Sequence, residues 1–200
     1  MSERGEFIVF EGIGGCGKGT QAEKLRQVLV ERGKNVMLTC EHTRDTPTGQ
    51  LIEEIIKKRA PSIEADALQM LFVADRINHT QRVIQPSLDK GITVIGDRYR
   101  GSTIAYAREE KRDYYNKIQK RVTLSPDLVI ILDLDPTEAV RRVNGRGDAD
   151  IFDQVEKLIK SRESYGWYAN NSGDNCVWVE AGGSVEEVSQ RVLKVAEEII

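Results

Sequence analysis

Residues 7–20 read Phe7-Ile8-Val9-Phe10-Glu11-Gly12-Ile13-Gly14-Gly15-Cys16-Gly17-Lys18-Gly19-Thr20. Four consecutive apolar residues running into glycines predict a buried strand that ends in a turn. Beyond the turn, Ala22, Leu25, Val28 and Leu29 share one face of a helix over residues 18–32, and Gly33 supplies its stop. A strand, a glycine-rich turn and a helix in this order make an anion site. The N–H groups of the turn point inward, and the positive end of the helix faces the same spot. Gly12 to Lys18 fits GxxxxGK, the P-loop pattern, in which the lysine neutralises charge between β- and γ-phosphates. Gly12, Ile13, Gly14, Gly15, Cys16, Gly17, Lys18, Gly19 and Thr20 are therefore the candidate ATP contacts. Gly19 stands where Ser or Thr usually meets Mg²⁺, and Thr20 follows one position later. The bland alternative is a glycine-rich turn that binds nothing; the lysine and the correct flanks weigh against it.

The same alternation continues outward. Apolar or β-branched runs at 35–39, 92–95, 128–132 and 176–179 predict four more strands. Helical periods fill 51–56, 63–78, 79–90, 102–120, 136–143, 152–168 and 185–199. Strands separated by helices imply right-handed crossovers, hence a three-layer α/β/α fold on a five-stranded parallel sheet. With no repeat or low-complexity linker, residues 1–200 read as one domain, with a lid segment at about 141–152. Ligands of such sheets gather beyond the carboxyl ends of the strands, where the polar residues after FIVF, NVMLT and ITVI converge.

Composition narrows the function classes. The chain has 200 residues, 40% hydrophobic and 30% charged, which suits a folded domain and argues against disorder. No stretch approaches the roughly 20 apolar residues needed to span a bilayer, and residues 1–10 show no signal-peptide pattern. A net charge of −3 argues against a general nucleic-acid binder. Cys16, Cys40 and Cys176 form no CxxC pair, and an odd thiol would be left over in any disulfide scheme. A reducing cytoplasm is the expected location. His42 and His79 lack metal-ligand spacing.

Asp97 closes the strand at 92–95 and is followed at once by Arg98. A carboxylate there can hold water ligands of Mg²⁺, which keeps several waters by preference. Arg98 can grip a phosphate bidentately, which a lysine cannot do. An isolated Asp at a strand end would otherwise be a turn former or a helix cap.

Several segments together resemble the thymidylate kinases among the P-loop nucleoside-monophosphate kinases. They are FEGIGGCGKGTQ at 10–21, Leu71-Phe72-Val73-Ala74-Asp75-Arg76 with His79, and Asp97-Arg98-Tyr99 with Ser102, Ala105 and Tyr106. Pro126-Asp127-Leu128, Leu132-Asp133-Leu134-Asp135-Pro136 and Val179-Glu180-Ala181-Gly182 extend the likeness over nearly the whole chain. The resemblance implies transfer of the γ-phosphoryl of ATP to dTMP, with Mg²⁺, in a homodimer. It implies that Phe72 stacks on thymine while Arg76 bonds its edge, roles that suit a flat base with carbonyl acceptors. Arg98 and Ser102 would face the acceptor phosphate, Thr103 the base, and Tyr106 the sugar. Read alone, Phe72 belongs to an apolar stripe with Leu68 and Leu71, and Asp75 and Arg76 form a solvated pair. The segment Arg141-Arg142-Val143-Asn144-Gly145-Arg146-Gly147-Asp148 resembles the family's lid. Arg146 is its first candidate for stabilising transferred charge, followed by Arg142 and Arg141.

The sequence departs from the family's pattern at three single sites and along one stretch. Gly14 replaces an acid that meets the acceptor 3′-hydroxyl, GKGT replaces GKTT or GKST, and Ala107 replaces a Gln. The stretch Thr39-Cys40-Glu41-His42-Thr43-Arg44-Asp45 replaces TREPGGT, with Arg44 a substitute phosphate contact. The rival readings are a kinase for another nucleoside monophosphate, such as dUMP, and a non-catalytic nucleotide-dependent switch.

Overall fold

The computed structural model describes residues 4–145 and 155–200. Five strands, β1 (Phe7–Glu11), β2 (Val36–Cys40), β3 (Thr93–Asp97), β4 (Leu128–Asp133) and β5 (Cys176–Glu180), form one sheet. Their order is β2-β3-β1-β4-β5, and every pairing is parallel. The predicted five-stranded parallel sheet is thus present, each strand within two residues of its expected limits. All five β1 residues are buried, as are the first five of β4, which is why these strands read as unbroken apolar runs.

Helices surround the sheet: α1 (Lys18–Glu31), α2 (Pro47–Ile56), α3 (Ala65–His79), α4 (Gln85–Leu88), α5 (Arg100–Tyr106), α6 (Arg112–Val122), α7 (Pro136–Asn144), α8 (Val155–Asn171) and α9 (Val185–Ala196). Several starts follow from local chemistry. Thr46 caps α2 by accepting from the Gly49 amide, with Pro47 in the first turn. Asp135 caps α7 in the same way, and Ser184 with Glu187 forms a reciprocal capping box on α9.

Two expected helices differ. The segment 102–120 is not one helix: Ala107 is extended, and the chain restarts through Glu109–Lys111 into α6. The break lets Arg108 and the Tyr115 hydroxyl reach Asp66 near the start of α3. Tertiary packing thereby overrides a continuous helical period. Nor does a new helix begin at 79; α3 runs through His79 into a wide π turn, Thr80–Ile84, and then α4. Trp178 is 41% exposed on β5.

Register places the working end. Phe10 is level with Asp97, and Asp97 with Cys40, so β1, β2 and β3 end side by side. The main core fills the space around β1 and β4. Ile52, Ile55 and Ile56 of α2 form a second cluster with Leu68 of α3, and Leu71 and Phe72 pack against it. That pair of helices makes the outer wall of the site.

Candidate active site

The glycine turn after β1 is pressed against its neighbours. Gly12 has φ 135° and Gly15 φ 79°. A Cβ on Gly12 would sit 2.6 Å from the Leu132 carbonyl oxygen, and one on Gly15 2.4 Å from that of Ala139. Neither position admits a side chain, so the loop lies tight on β4 and α7. Ile13 and Cys16 are buried beneath it. Lys18, the first residue of α1, is buried and folds back across the loop. Its Nζ donates to the carbonyls of Gly12 at 3.0 Å and Ile13 at 2.8 Å. The ammonium is thus held at the mouth of the cradle by acceptors belonging to the loop itself.

Glu11 was not singled out in the sequence, and it organises the next layer. It is fully buried at the end of β1. Its Oε1 accepts from the amides of Tyr99 at 2.8 Å and Ser102 at 3.0 Å; its Oε2 accepts from the hydroxyls of Ser102 at 2.7 Å and Tyr165 at 3.0 Å. The available signal was an acid closing an otherwise apolar strand. Burial, then the charge of Glu11, pushes the Tyr165 phenol well up, so it remains a donor at neutral pH.

Between Glu11's partners lies Arg98, at φ 73° in the left-handed region that a non-glycine residue rarely adopts. Its Nη1 donates to Ser102 Oγ at 3.1 Å and approaches the Gly12 carbonyl at 3.4 Å. Its guanidinium carbon lies 5.8 Å from the Tyr106 ring centre. Beside it, Asp97 Oδ1 is buried without a hydrogen-bond partner among the described residues. Asp97 Oδ2 is 3.2 Å from where a Cβ on Gly19 would stand. The carboxylate therefore faces the start of α1, while Thr20, one position on, is exposed.

A cleft of about 410 Å³ runs from this point to the α2–α3 wall. Arg44, Phe72, Arg76, Arg98, Ser102, Thr103 and Tyr106, all singled out in the sequence, line it, and Gly14, Gly15 and Asp97 close its inner end. Asp75 and Arg76 are not a solvated pair: each is only 1% exposed. Arg76 donates from Nε to Glu41 at 2.5 Å, and from Nη1 to Thr103 Oγ1 at 2.9 Å and to Gln119 Oε1. Asp75 accepts from the Thr43 amide at 2.7 Å and its hydroxyl at 2.6 Å, fixing the loop that carries exposed Arg44. His42 stands 5.9 Å from the Phe72 ring, centre to centre, and pairs with Glu53 at 2.9 Å.

The Cys40 thiol also lines this cleft. Burial pushes it up, Arg44 pulls it down, and Asp97 and Glu41 push it up further, with a net rise. Arg142 on α7 is half-buried and donates to Glu138 at 2.8 Å; it does not line the cleft, although the next residue, Val143, does. Arg146 lies outside the described residues. Arg162 of α8, half exposed, pairs bidentately with Asp133, at 2.6 and 2.8 Å.

A lysine-bearing glycine cradle at a strand end, opening onto an arginine-lined cleft beyond a parallel sheet, defines a P-loop kinase. Comparison with known proteins narrows this. The family described as Thymidylate kinase matches residues 10–192. A protein named probable thymidylate kinase from Pyrococcus abyssi is 41% identical over 199 residues, covering 95% of each chain. Another so named, from Methanosarcina acetivorans, is 33% identical over 198 residues, covering 96% of this chain and 95% of its own. The structure of thymidylate kinase from Candida albicans superposes with a TM-score of 0.80 at 25% identity, over 99% of this chain and 93% of that one. The chain belongs to the thymidylate kinase family.

Proposed function

We propose that this chain transfers the γ-phosphoryl group of ATP to dTMP, giving dTDP and ADP, and that it acts as a single domain. The observation that carries this is the cleft itself. Phe72 and Arg76 stand at its outer wall beside Thr103 of α5, and Arg98 and Asp97 stand where it meets the glycine cradle. A monophosphate whose base reached the α3 wall would bring its phosphate to the cradle, where the γ-phosphoryl of a donor would lie. An acceptor phosphate oxygen then attacks the γ-phosphorus in line, and the bond to the β-phosphate oxygen breaks. Position and positive charge are what the protein supplies.

In this reading Lys18 leaves the loop carbonyls for the donor's β- and γ-oxygens, and residues 12–20 present their amides. Arg98, held by Ser102, grips the acceptor phosphate, and exposed Arg44 reaches it from the other side. Phe72 stacks on the base, and Tyr106 closes against the sugar. Arg142, one residue before cleft-lining Val143, turns from Glu138 toward the donor phosphates.

The residues fit Mg²⁺. Asp97 Oδ1 is a buried carboxylate oxygen without a partner among the described residues, beside the cradle. Asp97 would hold the ion through water, with Thr20 a second candidate. When bound, Mg²⁺ supplies positive charge to the donor phosphates.

A homodimer is supported by exposed apolar side chains on two adjacent helices, Leu51 at 46% and Met70 at 41%, and light scattering tests it. A cytoplasmic location is supported by three unpaired cysteines. None of the described helices is long and apolar enough to cross a membrane.

The test is ADP release with ATP, Mg²⁺ and, in turn, dTMP, dUMP, AMP, CMP or GMP, against a blank without acceptor. Selective turnover of dTMP, lost in Arg98→Ala, is the expected result. Turnover of another monophosphate alone would overturn the acceptor assignment, and ATP binding without any turnover would favour a switch.

A further inference from the structure

The first turn of α5 meets two buried groups at once. A Cβ on Gly101 would stand 3.0 Å from the Glu11 carboxyl and 3.0 Å from Cε1 of Tyr168. Tyr168, on α8, donates its hydroxyl to Asp174 Oδ2 at 2.5 Å. Burial, then the charge of Asp174, pushes the Tyr168 phenol well up, so it stays a donor at neutral pH. Asp174, in the turn between α8 and β5, accepts on Oδ1 from Nη2 of Arg100. Arg100 is the residue before Gly101, so the contacts close a circuit from α5 through Tyr168 and Asp174 back to α5. The same Nη2 donates to Ser125 Oγ at 3.1 Å. The side chains of Arg100 and Asp174 are each 2% exposed, and neither is among the described residues that line the cleft.

Stability does not account for this circuit. Burying two charges costs more than their attraction returns unless the remaining donors also find partners. Here they do not: Nε and Nη1 of Arg100 are buried and make no hydrogen bond among the described residues. Apolar side chains of similar size would fill the space without that cost. What the ion pair and the phenol add over apolar packing is direction, since their hydrogen bonds hold in one geometry only. The residue that needs direction stands two positions before Arg100. Arg98 keeps a left-handed backbone, φ 73°, and its guanidinium must arrive at a phosphate. A displacement of ~1 Å at a reacting centre costs about 10²-fold in rate.

We infer that Asp174 is a positioning residue for Arg98, fixing the first turn of α5 through Arg100 and Tyr168. This rests on the phosphate-gripping role proposed for Arg98. Glu11 holds the turn by two amides and a hydroxyl, and Asp174 holds it by a side chain, so the two carboxylates fix it at separate points. The turn between α8 and β5 thereby acts on the transfer without touching either nucleotide.

The test removes direction while keeping the packing. The triple variant Arg100→Met, Tyr168→Phe, Asp174→Leu leaves no buried charge unpaired, and its Tm should match or exceed that of wild type. Its kcat/KM for dTMP should fall by about 10–100-fold, with KM for ATP unchanged. In an Arg98→Ala background the same three changes should cause no further loss, because they act only through Arg98. Asp174→Asn keeps the shape and one acceptor oxygen, and serves if the triple variant fails to fold; its smaller loss should likewise vanish when Arg98 is absent. Unchanged kcat/KM in a folded variant, or an equal loss in both backgrounds, would overturn the role of Asp174 while leaving the dTMP reading intact. Undiminished turnover in Arg98→Ala alone, or no turnover of dTMP by wild type, would overturn both.

Discussion

Glu11 and Ser102, on adjoining elements 91 positions apart, are joined twice: the carboxylate accepts the Ser102 amide at 3.0 Å and its hydroxyl at 2.7 Å. The same oxygens hold Tyr99 and Tyr165. One buried carboxylate therefore fixes the start of α5, and with it Arg98, against the cradle. Glu11→Ala would leave two amides and two hydroxyls without their acceptor, and should destabilise the chain by about 3 kcal/mol or more. Glu11→Gln keeps one carbonyl acceptor but turns a donor toward two hydroxyls. It should fold with a smaller loss and a raised KM for the acceptor. Urea unfolding and steady-state kinetics on both variants check the pair.

Arg98 holds a left-handed conformation, φ 73°, that costs a residue with a Cβ of the order of 1 kcal/mol. Such strain persists at a site when the side chain is needed there. Arg98→Ala and Arg98→Gly should therefore lose turnover alike, by about 10²–10³-fold. The glycine variant should be the more stable of the two by about 1 kcal/mol. Equal melting temperatures would show that the conformation carries no strain.

Asp75 accepts three hydrogen bonds, from the Thr43 amide and from the hydroxyls of Thr43 and Thr46. It staples the loop bearing His42 and Arg44 to α3, where Phe72 and Arg76 stand. Asp75→Ala should cost about 3 kcal/mol and raise acceptor KM more than donor KM. Calorimetry and a KM comparison decide; a fall in kcat alone would count against the stapling role.

Four tyrosines, Tyr99, Tyr115, Tyr165 and Tyr168, are each 1% exposed. Burial pushes every phenol up, Tyr115 to about 12; the further causes are Glu41 for Tyr99, Asp66 for Tyr115, Glu11 for Tyr165 and Asp174 for Tyr168. In the unfolded chain they ionise near 10, the ordinary value. Above that pH the native state binds more protons than the unfolded one, so stability falls as pH rises. Their contribution is whole below pH 10 and is lost as pH climbs through the native values, by up to about 1.4 kcal/mol per pH unit for each group. Urea midpoints should fall from about pH 10 upward, and Tyr165→Phe should make the fall shallower.

Much of this was legible because it is local. The P-loop spells out its own geometry in consecutive residues, and β1 and β4 announce themselves as buried runs. The seven acceptor-side residues were found through their likeness to a family, and the fold does gather them into one cleft. What sequence could not show depends on contacts between distant segments. Glu11 meets partners at 99, 102 and 165. The interruption at Ala107 is accompanied by contacts of Arg108 and Tyr115 with the distant Asp66, which no helical period records.

Gly14 is the sharpest departure from the family's pattern, standing where an acid usually meets the acceptor 3′-hydroxyl. It lines the cleft, and it is absent from the left-handed positions that Gly12, Gly15 and Gly17 occupy, so its backbone admits a side chain. Gly14→Asp should therefore fold with little change in Tm. If dTMP sits with its base at Phe72 and its phosphate at Arg98, the new carboxylate gains a charge-assisted hydrogen bond to the 3′-hydroxyl. Such bonds contribute about 1.5–3 kcal/mol, so KM for dTMP should fall by tenfold or more. The gain should vanish with the 3′-deoxy analogue of dTMP, which lacks the hydroxyl. Improvement that persists with that analogue would mean the carboxylate acts elsewhere, and no improvement with either would place the sugar away from Gly14.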